Sequence, residues 1–232
     1  MSTTYTKHFL PLESNPDVFN RLIRSLGSSH CLEFQDVVSL DDPDLLPHPA
    51  LALILVFPTT DRYEDQRAAE DATRSDSECN TDENITWFMQ TINNACGLYG
   101  ILHALSNGPA RDLVVDECAS LLPHQRSSYL ENSLELERAY MEVAVQGIST
   151  VPENAEDEVD YHFVCFVKSH RNGHLYELDG DRKGPIDRGL VLAPEEDMLA
   201  SGGLSIVREY IEREHGNCAF GLMALVNTAQ CP

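Results

Sequence analysis

The 232-residue chain carries a formal net charge of −22, and 42% of its residues are hydrophobic. This charge repels nucleic acid phosphates, so we expect no nucleic acid partner. No apolar run approaches the roughly 20 residues that span a bilayer, so we expect no membrane partner either. Seven cysteines without framework spacing favour a reducing compartment. We therefore expect the protein in the cytoplasm, with the nucleus as a further location.

The first part of the chain alternates predicted helix and strand. A helix is predicted from the Asn15 cap to Gly27, and residues 31–38 have the composition of a strand. The apolar run 51–57 lies between two prolines and predicts a strand buried on both faces. Residues 59–84 are polar and mostly acidic, so we interpret them chiefly as a solvated connection, part of which is compatible with a helix.

The rest of the chain adds a group of helices and further strands. Helices are predicted over 112–122, 127–146 and 192–216, and Gly202-Gly203 interrupts the last of them. Strands are predicted over 159–167, 173–180 and 218–226. A loop is predicted at 147–159. Strands at both ends and helices in the middle predict an α+β fold, an antiparallel sheet packed with a helical lobe. Because no Gly/Ser- or Pro-rich linker divides the chain, we expect one domain over residues 1–232.

Cys96 lies where residues 87–105 change from a polar turn to a helical pattern. With Asn93 or Asn94 as the N-cap, Cys96 lies in the first turn of that helix. Unpaired backbone N–H groups and the helix dipole there favour a thiolate, the reactive form of cysteine. The alternative is a buried structural cysteine, so the assignment depends on partner residues.

Three polar residues are candidate partners of Cys96. Gln90 precedes it by six residues, His162 lies in the strand predicted at 159–167, and Asp179 ends the strand predicted at 173–180. A cysteine at a helix N-terminus, a histidine on one strand and a carboxylate on the next are the components of a thiol acyl-transfer site.

These residues lie in motifs that resemble those of the short-form ubiquitin C-terminal hydrolases. The motifs are QTI (90–92), NACG (94–97), DYHF (160–163) and HLYELDG (174–180), and the likeness covers nearly the whole chain. The resemblance implies a papain-like fold with a knotted backbone, an exception to the usual unknotted chains. It also implies a single catalytic domain in which a crossover loop, about 147–159, passes over the active site and limits the leaving group to small or unfolded adducts.

The resemblance also implies a role for each candidate residue. Cys96 is the nucleophile that attacks the carbonyl of the last residue of ubiquitin, His162 is the general base and acid, and Asp179 orients the imidazole. The Gln90 side chain and the Cys96 backbone N–H stabilise the oxyanion. The implied protein is a monomeric deubiquitinating thiol protease that needs no cofactor.

Two alternatives remain open at this point. The first is a ubiquitin-binding or sequestering module with a misaligned triad, and the second is a hydrolase of a related ubiquitin-like modifier. A metal site is not expected, because the chain has no CxxC pair, and strand alternation sends His162 and Cys165 to opposite faces.

The catalytic interpretation also predicts the geometry of the hairpin. His162 and Asp179 lie directly opposite each other only if the connecting loop is around 169–172, with Asn172-Gly173 at its exit. A two-residue turn on Asn172-Gly173 would move Asp179 four residues out of register.

Overall fold

A six-stranded antiparallel sheet lies at the centre of the fold. A computed structural model describes residues 5–74, 84–113, 121–147, 154–157, 159–213 and 219–230. Two short strands, β1 (Lys7–His8) and β4 (Ile92–Asn93), pair in parallel outside the main sheet. The main sheet contains β2 (Leu32–Asp36), β3 (Ala50–Pro58), β5 (Tyr161–Lys168), β6 (His174–Leu178), β7 (Ile186–Val191) and β8 (Gly221–Asn227). Its spatial order is β2-β8-β3-β5-β6-β7.

Helices pack against this sheet, which confirms the predicted α+β class. They are α1 (Pro16–Ser25), α2 (Asp61–Ala72), α3 (Cys96–Leu105), α4 (Pro123–Asn132), α5 (Leu134–Ala144) and α6 (Ser201–Arg213), with short 3₁₀ turns at Pro43–Leu45, Gly108–Leu113 and Thr228–Gln230. α1 begins as predicted, since the Asn15 side chain accepts a hydrogen bond from the Asp17 N–H at 2.9 Å and a proline follows the cap.

Helices cover both faces of the sheet, which explains the continuous apolar run in β3. α1, α3 and α5 contribute to the core on one face, whereas α6 and Tyr63 of α2 contribute to the core on the other. Every residue from Leu51 to Phe57 is at most 8% exposed. The prediction of a strand buried on both faces is therefore confirmed.

The single helix predicted over 127–146 is wrong, because Ser133 divides this segment between α4 and α5. Ser133 caps α5 by accepting a hydrogen bond from the Leu136 N–H at 3.2 Å. The break resets the helical phase, and Leu134, Met141 and Val145 are among the apolar residues of the segment that are exposed. The buried stripe of α5 consists instead of Leu136, Tyr140, Val143 and Ala144.

Residues 61–72 form α2, so part of the segment interpreted chiefly as a solvated connection is a helix. Thr60 caps the helix by accepting a hydrogen bond from the Tyr63 N–H at 3.2 Å, and Tyr63 is its buried residue. Arg182 forms ion pairs with Glu70 at 2.8 Å and with Asp71 at 3.0 Å. These long-range contacts stabilise a helix that has almost no apolar periodicity.

The last helix begins later than predicted. α6 starts at Ser201, so Gly202-Gly203 lie in its first turn and do not interrupt it. A Cβ at Gly203 would lie 2.0 Å from the Met198 carbonyl oxygen, so this close approach requires glycine. Residues 114–120 of the helix predicted over 112–122, and residues 148–153 and 158 of the loop predicted at 147–159, lie outside the described residues.

Candidate active site

Cys96 is the first residue of α3, and it is 7% exposed. The N-cap is Ala95 without a side-chain hydrogen bond, so the predicted Asn93 or Asn94 cap is wrong. The placement of Cys96 in the first helical turn is confirmed. The backbone N–H groups of this turn are therefore not occupied by a capping side chain.

Asn94 uses its side chain for a different contact. Its backbone is left-handed, with φ of 58°, and the residue is 8% exposed. Its Nδ2 donates to the carbonyl oxygens of Ala155 at 3.0 Å and Asp157 at 2.8 Å. Segment 154–157 belongs to the loop predicted at 147–159, so one side chain ties this segment to the turn that carries Cys96.

His162 and Asp179 lie in contact, although not in the predicted register. Cys165 pairs with Leu178, so Asp179 follows opposite Val164 rather than opposite His162. The two-residue offset keeps both side chains on one face, and a diagonal pair on adjacent strands is within reach. His162 Nε2 lies 2.9 Å from Asp179 Oδ1.

The loop that sets this register contains five residues, 169–173. The Ser169 N–H donates to the His174 carbonyl oxygen at 2.9 Å, and the Gly173 N–H donates to the Ser169 carbonyl oxygen at 3.0 Å. Gly173 has φ of 72°, a left-handed conformation that glycine adopts without a Cβ clash. The longer loop with Asn172-Gly173 at its exit is confirmed, whereas the direct opposition of His162 and Asp179 is wrong.

The His162–Asp179 pair is buried, and each partner stabilises the charged form of the other. Burial raises the pKa of Asp179, but His162, the Asp181 backbone N–H and Arg67 together lower that pKa to about 2. Burial lowers the pKa of His162, but the Asp179 carboxylate and a hydrogen bond with Cys96 raise it well above 6.5. A thiol, an imidazole and a carboxylate thus lie in sequence, the arrangement that nucleophilic catalysis by cysteine requires.

Gln90 lies against the residue that follows Asp179. Its backbone N–H donates to the Gly180 carbonyl oxygen at 2.7 Å. A Cβ at position 180 would lie 2.9 Å from Gln90 Cβ and 3.1 Å from Gln90 N, so this approach requires glycine. Among the described residues, no group forms a hydrogen bond with the buried Oε1 of Gln90.

Two aromatic residues that the sequence did not single out bind Asp179. The Tyr63 hydroxyl donates to Asp179 Oδ2 at 3.3 Å, and Trp87 Nε1 donates to the Asp179 carbonyl oxygen at 2.9 Å. The sequence pattern that could have indicated Tyr63 is a lone aromatic residue in a polar stretch, three positions after the Thr60 cap. Trp87 is the single tryptophan of the chain and lies three residues before Gln90.

His103 of α3 contacts the chain between Trp87 and Gln90. It is fully buried, and its Nε2 accepts a hydrogen bond from the Phe88 N–H at 3.0 Å. Burial lowers the pKa of His103 to about 3, so the imidazole is neutral in the folded protein. It lies two turns beyond Cys96, and its role here is structural.

The free energy of unfolding is expected to fall as the pH decreases from 6.5 toward 3, because over this range His103 takes up a proton only in the unfolded chain. One such group contributes a slope of about 1.4 kcal/mol per pH unit. His103→Gln keeps an acceptor for the Phe88 N–H and removes the titrating group. Urea unfolding at several pH values should therefore give a shallower slope for the variant, and equal slopes would contradict the assignment.

A metal-ligand cluster and a membrane-spanning helix are both absent from the described part of the chain. There, no group of three or more His, Cys, Asp or Glu side chains is placed to hold a metal ion. No helix among these residues is long and apolar enough to cross a membrane.

The chain is similar to known proteins over most of its length. It is 33% identical to ubiquitin carboxyl-terminal hydrolase 3 of Arabidopsis thaliana, over 95% of this chain and 94% of that protein. It is 32% identical to ubiquitin carboxyl-terminal hydrolase isozyme L1 of Homo sapiens, over 94% of this chain and 98% of that protein.

Solved structures and a family model agree with these relatives. The fold matches that of Trichinella spiralis UCH37 bound to ubiquitin vinyl methyl ester with a TM-score of 0.66 at 22% identity, over 94% of this chain and 81% of that one. The family model described as ubiquitin carboxyl-terminal hydrolase, family 1 matches residues 9–212. The chain therefore belongs to family 1 of the ubiquitin carboxyl-terminal hydrolases.

Proposed function

We propose that this protein is a deubiquitinating cysteine protease that hydrolyses small or unfolded adducts from the C-terminal glycine of ubiquitin. The observation that carries this proposal is the contact of His162 with both Asp179, at 2.9 Å, and Cys96. Family membership supports ubiquitin as the protein whose C-terminus is cleaved. The net charge of −22 fits a substrate with a basic, arginine-containing tail.

The first half of the reaction forms a thioester. His162 takes the proton of Cys96, and Sγ attacks the carbonyl carbon of the last ubiquitin residue. Asp179 stabilises the imidazolium, while the Gln90 amide and the Cys96 backbone N–H donate to the oxyanion. The bond to the adduct then breaks, and the leaving group takes the proton from His162.

The second half of the reaction releases ubiquitin. His162 takes a proton from water, and the hydroxide oxygen adds to the thioester carbonyl. When the second tetrahedral intermediate collapses, the Cys96 sulfur leaves and takes the proton back from His162. The ubiquitin carboxylate is released, and the enzyme returns to its initial protonation state.

Release of a fluorogenic group from the C-terminus of ubiquitin tests this function. We expect turnover with ubiquitin, and slower turnover when the same group is attached to a related ubiquitin-like modifier. Equal or faster release from the modifier would favour that modifier as substrate. Tight ubiquitin binding without turnover would favour the sequestering module, and the absence of both would overturn the proposal.

A further inference from the structure

Side chains of α2 converge on the loop that follows β6 and carries Asp179. Arg67 pairs with Asp181, and Arg182 pairs with Glu70 at 2.8 Å and with Asp71 at 3.0 Å. The Arg182 side chain is 3% exposed and that of Asp71 is 16% exposed, so this pair is largely shielded from solvent, whereas the Glu70 side chain is 41% exposed. α2 is therefore fixed relative to Asp179 at several points, although its composition is that of a surface helix.

Tyr63 is the residue of α2 that reaches Asp179 itself. Its ring packs edge-on against Phe57, with centroids 4.8 Å apart, and its centroid lies 6.3 Å from that of the His162 ring. Burial raises the pKa of Tyr63 well above its usual value. The hydroxyl therefore keeps its proton at neutral pH and donates a hydrogen bond to Asp179.

The two carboxylate oxygens of Asp179 have different partners. Oδ1 lies 2.9 Å from His162 Nε2 and accepts a hydrogen bond from the Asp181 N–H at 2.9 Å. Oδ2 accepts from the Tyr63 hydroxyl at 3.3 Å. A carboxylate held at one oxygen can rotate about its Cβ–Cγ bond, whereas a donor at the second oxygen restricts that rotation.

We propose that Tyr63 is a positioning residue, whose hydroxyl holds the Asp179 carboxylate in the orientation that presents Oδ1 to His162. This inference rests on the proposed function in one respect, the assignment of Asp179 as the group that orients the imidazole. It gives α2 a part in catalysis that acts through Asp179.

Tyr63→Phe removes the hydroxyl and keeps the ring. We expect kcat to fall about tenfold with little change in KM, because the weakened Asp179–His162 contact matters most when the imidazole is charged. Asp179 raises the pKa of His162, so the His162 midpoint in an NMR titration should move to lower pH, by about 0.5 unit. The NMR signal of the His162 imidazole is identified as the one that disappears in His162→Asn.

The other titratable groups that interact with Asp179 are unchanged in Tyr63→Phe; they are Arg67, His103, Glu177, Arg182 and Tyr210. Tyr176→Phe is the matched control, since this tyrosine is 1% exposed and its hydroxyl accepts a hydrogen bond from Asn172 in the hairpin loop. The control should lose comparable thermal stability and keep both kcat and the His162 midpoint.

The NMR midpoint needs no ubiquitin, so it separates this inference from the proposed function. A lowered midpoint in Tyr63→Phe alone supports positioning, whatever substrate the enzyme uses. An unchanged midpoint in Tyr63→Phe, or an equal shift in Tyr176→Phe, overturns it. Failure of the parent to cleave ubiquitin overturns the proposed function and leaves this result intact.

Discussion

Replacing Cys96 with alanine is expected to abolish hydrolysis of a fluorogenic ubiquitin substrate. The variant has no nucleophile and forms no thioester, so kcat should fall by about 10⁵-fold or more. The fold should survive, because position 96 is the first residue of α3 and alanine favours helix formation. The residual rate of Cys96→Ala is measured as release of the fluorogenic group, with the enzyme concentration raised as far as the substrate concentration.

Ubiquitin affinity distinguishes loss of chemistry from loss of structure. Cys96→Ala should bind ubiquitin about as tightly as the parent does. Cys165→Ala is the matched control, because this fully buried residue lies on β5, and burial raises the pKa of its thiol well above the usual value. The Cys165→Ala variant should lose stability and keep kcat. Residual activity of Cys96→Ala within tenfold of the parent would exclude Cys96 as the nucleophile.

Local patterns were sufficient to predict the positions of Cys96, His162 and Asp179 in the fold. Each lies at or near the end of an element whose periodicity was clear in the sequence: the start of α3, the start of β5 and the position after β6. The register between the two strands was not predictable in the same way. The register depends on hydrogen bonds of the 169–173 loop. Because side chains alternate between the two faces of a strand, a two-residue error in register leaves His162 and Asp179 on the same face of the sheet.

The part of the site formed by α2 was missed for a different physical reason. The helix has little apolar periodicity, and Tyr63 alone among its residues is buried. Its stability and placement depend on partners more than a hundred residues away, such as Arg182 with Asp71. Hydrophobic patterns cannot report such pairs, because a charged residue on a solvated face and one in a buried ion pair have the same sequence signal.

Replacing Asp179 with asparagine is expected to lower kcat by about 10³-fold with a smaller change in KM. Asparagine preserves the shape, but a neutral amide cannot stabilise the imidazolium. In the parent, the carboxylate outweighs burial and raises the pKa of His162 well above 6.5. In the variant, burial dominates and lowers that pKa, so the charged form of His162 needed to protonate the leaving group becomes scarce at neutral pH.

The same substitution should reverse the pH dependence that His162 gives to stability. In the parent, the pKa of His162 is higher in the folded state than in the unfolded state, where it is about 6.5. Its stabilisation is therefore full below that pH and is lost as the pH rises through the folded-state value. In Asp179→Asn the folded-state pKa lies below the unfolded one, so stability is lost as the pH falls instead. Urea unfolding on either side of pH 6.5 measures both slopes.

Asp187 provides a matched control for this prediction. Its Oδ2 lies 2.7 Å from His174 Nδ1, so it forms an Asp–His pair like that of the site, but both side chains are at least 33% exposed. Exposed pairs contribute about 0–1 kcal/mol, so Asp187→Asn should leave kcat and the pH dependence of stability unchanged. A comparable loss of kcat in both variants, or activity of Asp179→Asn within tenfold of the parent, would show that Asp179 does not orient His162. A loss confined to Asp179→Asn assigns the catalytic role to the buried Asp–His pair, whose imidazole also contacts Cys96.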